Sequence, residues 1–352
     1  MNQFWGFSHC AQVGELKVRS RTGEQRESRS IPAQSQFGRF GNLFDFSVPP
    51  RSSFESTMIT LFPHVHLLDG VVGTRPIYLP VLIGEWGALL LDTGCSYHVD
   101  QLILPGFKEL GLSPQDLRFI INTHPDADHV GGNAGMKAWA PKAILACGDA
   151  DRDLIDDPEA LFARRYDAYR AHGVFYSEEV ANGMKRDLGS RQPVELTFRG
   201  GEHLRLASDW ELEVLSLPGH SKGHLGILDH KHRTLFGGDA IQGAVYLGID
   251  SKPALCPTYL YPDSYLTTAH FIEHLPIDLY VSCHWPLKKG QEIAEFCQES
   301  RDFVDRAETL TRAAGTDNLA ELCDQLGPKL GQWPAGVHRE LAYALAGHLG
   351  LQ

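Results

Sequence analysis

No run of roughly 18 apolar residues occurs in this chain, which argues against a membrane-spanning helix. The first residues hold no charged region leading into an apolar run and a small-residue cleavage site, so no secretory signal is expected. Cysteines are few and scattered: Cys10, Cys95, Cys147, Cys256, Cys283, Cys297 and Cys323, an odd set of 7 with no Cys-x-x-Cys. Such spacing argues against a disulfide framework and a structural zinc knuckle, and points to a reducing, cytoplasmic location. Basic residues are in deficit, 32 Lys and Arg against 44 Asp and Glu, for a formal net charge of −12. Phosphate-backbone binding needs clusters of Lys and Arg, so neither nucleic acid nor a membrane is an expected partner, and a small-molecule substrate is.

The chain's 352 residues, 43% of them hydrophobic, suffice for one large domain or two modest ones. Residues 1–57 are rich in Ser, Gln, Arg and Gly without sustained periodicity, and are expected to be a disordered extension. The ordered pattern begins at Met58, a candidate for the true start. From there short apolar runs alternate with turns. Ile77–Ile83 and Ala88–Leu91 flank a hairpin signal. Leu117–Ile121 reads as a buried strand, Val130–Ala140 as a short helix and Ile144–Leu145 as part of another strand. Further strands are expected at Glu202–Leu206, Leu212–Leu217, Leu225–Leu228, Thr234–Phe236 and Leu279–Ser282, with helix around Phe271–Leu275. Between the two groups of strands, about 150–192, lies a charged helical stretch too long for a simple connection, read as an inserted cap or as a packing element. Beyond Gln291 the spacing turns helical, notably at Leu319–Leu326 and Val337–Leu349. The expected organisation is therefore a strand-rich body over 58–290 and a helical appendage over 291–352. That appendage would cover the active-site mouth, form a homodimer contact or seal the core edge.

The chemistry concentrates in Thr123-His124-Pro125-Asp126-Ala127-Asp128-His129-Val130-Gly131-Gly132, where four ligand-type side chains follow a buried strand. Several His and Asp packed together are costly to bury unless a cation neutralises them. Four more segments put such residues at strand ends: Asp92 in Leu91-Asp92-Thr93-Gly94, His220 in Pro218-Gly219-His220-Ser221, Asp239 in Gly237-Gly238-Asp239, and His284 in Cys283-His284-Trp285. Active residues of layered α/β folds collect where strands leave the sheet.

The order of these segments resembles the metallo-β-lactamase superfamily of dinuclear metal hydrolases, over roughly residues 59–290. The resemblance implies an α/β fold, a four-layer αββα sandwich, and two divalent transition-metal ions, zinc first, with iron or manganese as the alternatives. By position, His124, Asp126 and His220 match the ligands of the first metal. Asp128, His129 and His284 match those of the second, and Asp239 the carboxylate that bridges both. Asp92 matches a carboxylate supporting the ligands from behind, and Asp128 also matches a group that orients water and shuttles a proton.

Asp126 stands where the family usually has a second His. Three carboxylates and one hydroxide would cancel two divalent cations, whereas the usual two carboxylates leave the centre positive. A neutral centre is a weaker Lewis acid and favours harder metals such as iron or manganese. The diiron oxygen-reducing members of the family carry an acidic residue at this position. The resemblance thus implies hydrolysis of a lactone, thioester or carboxylic ester. The alternatives are a phosphodiesterase or nuclease, a diiron oxidoreductase, and a non-catalytic binding protein. His224 reads either as a supporting hydrogen-bond partner or as a packed cap of its turn. His64, His66 and His98 read as ordinary histidines. Tyr246, Tyr259 and Tyr261 read as packing, with a carbonyl-polarising phenol as the other option. Gly131-Gly132 reads as a close approach of helix and metal loop, not as a phosphate loop.

Overall fold

Alternation of apolar residues dictates two sheets that share one dry interface. The computed structural model describes residues 57–352; the extension expected to be disordered lies outside the described residues. The strands are β1 (Thr57–Phe62), β2 (Val65–Val72), β3 (Arg75–Gly84), β4 (Gly87–Leu91), β5 (Leu117–Ile121), β6 (Ile144–Gly148) and β7 (Leu196–Phe198). After them come β8 (His203–Ala207), β9 (Trp210–Ser216), β10 (Leu225–Asp229), β11 (Thr234–Gly238), β12 (Tyr246–Leu247), β13 (Pro253–Leu255), β14 (Leu279–Ser282) and β15 (Lys288–Lys289). One sheet runs β1 to β7 in sequence order, and the second runs β15-β14-β11-β10-β9-β8. In β4, Leu89 and Leu91 face the second sheet whereas Ala88 and Leu90 face the helices; in β9, Leu212 and Val214 face the first sheet and Leu215 turns outward. Helices cover both outer faces, so the architecture is the αββα sandwich expected from the sequence.

The segments that carry ligand-type residues leave the sheets after β4, β5, β9, β11 and β14. The β4-β5-β6 and β11-β14 pairings are parallel, which forces crossovers and leaves strand ends free to form a site.

Local structure departs from the sequence reading in three places. The helix expected over Val130–Ala140 is two pieces, Ala127–Val130 and Asn133–Trp139. The break falls at Gly131-Gly132 because the chain crosses the Asp92 loop there: a Cβ on Gly132 would lie 2.4 Å from the Thr93 carbonyl oxygen. The insertion is a series of short turns ending in one helix, Glu178–Asp187, instead of a long helix. Pro158 opens one turn behind an Asp157 cap, and Gly173 at φ 78° closes another. The helix expected near Phe271–Leu275 spans Pro262–Glu273, with the proline at its first turn.

The C-terminal helices Gln291–Ala313, Leu319–Leu330 and Leu341–Leu349 close around their own cluster, which takes in Tyr259 from the loop after Asp239, Tyr265 from helix Pro262–Glu273, and Tyr169 and Val174 from the insertion. Helix Gln291–Ala313 buries Ile293, Phe296, Cys297, Ser300, Phe303, Val304 and Ala307 along one stripe, the period of an amphipathic helix. The appendage and the insertion are also joined by hydrogen bonds: Tyr176 donates to Glu340 Oε1 at 2.7 Å, and Arg339 Nη1 to the Phe175 carbonyl at 2.7 Å.

Candidate metal centre

All seven ligand-type residues singled out in the sequence converge at one end of the sandwich. Asp126, Asp128, Asp239 and His284 line one cleft, together with Arg75, Arg165, Tyr246, Glu340 and Tyr343. The ligand atoms form two triads, His124–Asp126–His220 and Asp128–His129–His284, and a third grouping, His124–His129–Asp239, joins them.

Hydrogen bonds behind the rings decide which nitrogen faces the cleft. Asp92, left-handed at φ 61°, accepts the Thr123 N–H at 2.7 Å and the Thr123 hydroxyl at 2.8 Å. With its proton so committed, Thr123 Oγ1 accepts from His124 Nδ1 at 2.9 Å. The same Asp92 Oδ2 accepts from His129 Nδ1 at 2.9 Å. One buried carboxylate therefore sets the tautomer of a histidine in each triad. His284 Nδ1 donates to the Pro76 carbonyl at 2.8 Å, so its Nε2 also faces the cleft, 3.2 Å from His129 Nε2. Only a shared proton or a cation can sit between two imidazole nitrogens facing each other at that distance.

Two buried polar atoms test whether metal fits. Among the described residues, His124 Nε2 and Asp239 Oδ1 have no hydrogen-bond partner, and both residues belong to the joining group. The other Asp239 oxygen accepts from Tyr246 at 2.9 Å, which leaves Oδ1 for a cation. Leaving such atoms unmatched is costly, and the donor set of imidazole and carboxylate suits divalent transition metals. The residues fit the group. Burial, with the neighbouring His129 and His220, holds His124 well below its usual pKa, in the neutral form a ligand needs.

His224 accepts the Asp239 N–H through Nε2 at 3.2 Å and stacks on His124 with ring centroids 4.9 Å apart, so it supports the site as well as packing in it. Cys283 is buried, its Sγ 3.7 Å from Asp92 Oδ2. Tyr259 packs on Tyr265 and bonds His348, away from the ligands. Asn122 Nδ2 donates to the His129 carbonyl at 3.0 Å and Asn133 Nδ2 to Asn122 Oδ1 at 2.8 Å, a brace under the ligand loop that the sequence reading passed over.

The larger omission is Arg165. Its buried guanidinium pairs with Asp126 through Nε and, at 2.7 Å, through Nη2. Tyr166 adds a hydrogen bond to Asp126 Oδ1 at 3.2 Å and accepts the Ala127 N–H at 2.7 Å. Burial pushes the Asp126 carboxyl up, but Arg165, His124 and His220 outweigh it and hold the group well below the usual carboxylate range. The negative charge that Asp126 adds is thus met by a cation of the chain itself, which revises the expectation of a neutral centre. The signal in the sequence was Asp126: an extra buried carboxylate requires a counter-charge, although nothing local marks Arg165 as its source.

Asp187 also lines the cleft, and burial pushes its carboxyl up to about 6. A carboxyl whose folded pKa is raised contributes stability below its unfolded value of about 3.9, and loses it as pH rises through the folded value. In paired melts of metal-free protein, Asp187→Asn should gain on wild type as pH rises from about 4 to about 6. A pH-independent difference between the two would show that Asp187 does not titrate there.

With fold and site in place, the comparisons are direct. The chain belongs to the metallo-β-lactamase superfamily, whose family model matches residues 77–284. Among curated proteins, a hydroxyacylglutathione hydrolase of Haemophilus influenzae is 27% identical over 168 residues, 46% of this chain and 65% of that protein. One from a Synechococcus species is 28% identical over 170 residues, 47% of this chain and 53% of the relative. The chain thus matches less than two thirds of either relative's length. The crystal structure of a metallo-β-lactamase family protein from Thermus thermophilus superposes with a TM-score of 0.64 at 21% identity, covering 82% of this chain and 93% of that one. Among the described residues no helix is long and apolar enough to cross a membrane.

Proposed function

We propose that the chain is a dinuclear metal-dependent hydrolase of an ester-like bond, with thioesters ahead of lactones and carboxylic esters. The observation that carries it is the convergence of two His/carboxylate triads joined by Asp239 in one cleft. The curated relatives, named as hydrolases of hydroxyacylglutathione, favour the thioester. In this reading His124, Asp126 and His220 hold one ion, Asp128, His129 and His284 hold the other, and Asp239 spans them. Zinc is the first candidate, since Arg165 offsets the charge that pointed to iron or manganese.

Two divalent ions held by these residues would supply Lewis acidity for the substrate carbonyl and lower the pKa of a bound water. The chain's own residues do the rest. Asp128, only partly buried, orients the attacking water and takes its proton at a carboxylate oxygen. Tyr246 fixes Asp239 through its hydroxyl. Burial pushes the Asp128 carboxyl up, but His129, His284 and Arg75, the last 3.7 Å from Asp128 Oδ2, outweigh it and hold the group below the usual carboxylate range.

The test is metal analysis of protein purified without chelator, followed by turnover on p-nitrophenyl esters, thioesters, lactones and phosphodiesters. Metal content near two per chain with preference for a thioester supports the reading; phosphodiester turnover alone, or no metal uptake, overturns it. Asp239→Asn should lower turnover by on the order of a hundredfold, because small misplacements of reacting groups are that costly. Near-normal turnover in this variant would show that Asp239 does not join the two triads.

A further inference from the structure

We propose that Arg165 is a built-in competitor for the first metal position, so that the two triads load in a fixed order with Asp128–His129–His284 first. Arg165 Nη2 lies 3.0 Å from His220 Nε2. The same ring nitrogen lies 2.9 Å from Asp126 Oδ2, so Arg165 Nη2 contacts both a ring nitrogen and a carboxylate of the first triad, where a cation shared by the two would sit. A cation held by these two atoms and the guanidinium that contacts both of them exclude each other.

The competitor is held in place from the insertion. Its guanidinium lies over the Tyr343 ring, 5.5 Å from the centroid, and its side chain is 3% exposed. It is also imperfectly satisfied, because Nη1 is buried without an acceptor. A divalent ion of higher charge density can therefore displace it, at a cost in affinity. Among the described residues no such contact guards the second triad: Arg75 remains 3.7 Å from Asp128, beyond hydrogen-bonding distance. The inference rests on the metal-site part of the proposed function and not on the bond hydrolysed.

The experiment is a cobalt(II) titration of the metal-free full chain, read by d–d absorbance and calorimetry. Two steps are expected, separated by at least about tenfold in affinity, the scale on which neighbours of a ligand tune metal binding. His284→Ala should remove the tight step and His220→Ala the weak one. Arg165→Met should strengthen the weak step until the two merge, and Arg165→Lys, with charge but no fork, should fall between. Equal affinities in wild type, loss of the tight step in His220→Ala, or an unchanged gap in folded Arg165→Met overturns the inference. If Arg165→Met does not fold, wild type and the histidine variants still decide. Ordered loading in a protein that cleaves no ester would overturn the proposed activity and leave this inference standing.

Discussion

Asp126→His, the substitution that restores the family's usual ligand, should destabilise the metal-free protein by roughly 3–5 kcal/mol, the cost of stranding one member of a buried ion pair. That is a large share of the stability of an ordinary domain, about 5–15 kcal/mol. The cause is Arg165, whose Nε and Nη2 both bond the Asp126 carboxylate. An imidazole there offers no negative charge, and burial leaves the guanidinium no water to turn to. Adding Arg165→Met to Asp126→His should recover most of the loss, because it removes the stranded charge. Urea denaturation of the wild type, both single variants and the double variant closes the cycle. If Asp126→His melts like wild type, or the double variant is no better than Asp126→His alone, the pair is not what holds Arg165.

Asp92→Asn is expected to weaken metal binding at both triads, by roughly 10–100-fold each. The carboxylate accepts from His129 Nδ1 directly and reaches His124 Nδ1 through the Thr123 hydroxyl. An amide must point its NH₂ at one of these donors, which frees a ring to take the tautomer with hydrogen on Nε2 and no lone pair for metal. Asparagine tolerates the left-handed backbone at this position, so the fold should survive and the effect should be chemical. Thr123→Val supplies the contrast: it cuts only the branch to His124, so only the His124–Asp126–His220 triad should weaken. Calorimetry with zinc or cobalt on the three proteins decides. An Asp92→Asn protein that binds both ions as wild type does would remove Asp92 from any part in setting the rings.

Much of the sandwich was legible because β3, β4 and β10 are short apolar runs bounded by turn residues, and β9 alternates apolar and polar along its length. The seven ligand-type residues were legible because each follows an apolar strand and precedes a turn, where burying His or Asp has no structural excuse. What escaped was set by distant contacts. Arg165 sits in a charged stretch whose pattern favours a solvent-facing helix, and only the fold brings Asp126 to it. Gly131-Gly132 was read as a close approach, yet the split of the helix at that point depends on the Thr93 carbonyl opposite. Glu340 and Tyr343 looked like parts of an amphipathic helix, and nothing near them in sequence announces that they line the cleft.

That arrangement has a consequence for the order in which the molecule is built. His284 is the last of the seven ligand-type residues along the chain, whereas Glu340 and Tyr343 come later and meet the insertion through contacts of very high sequence separation. A chain emerging from the ribosome therefore exposes all seven before the residues that wall the cleft exist. Contacts so far apart in sequence pay their loop-closure entropy late, so the wall is among the last features to settle. During synthesis the cluster of His and Asp is open to solution, and the cleft acquires its final shape only when the C-terminal helices dock.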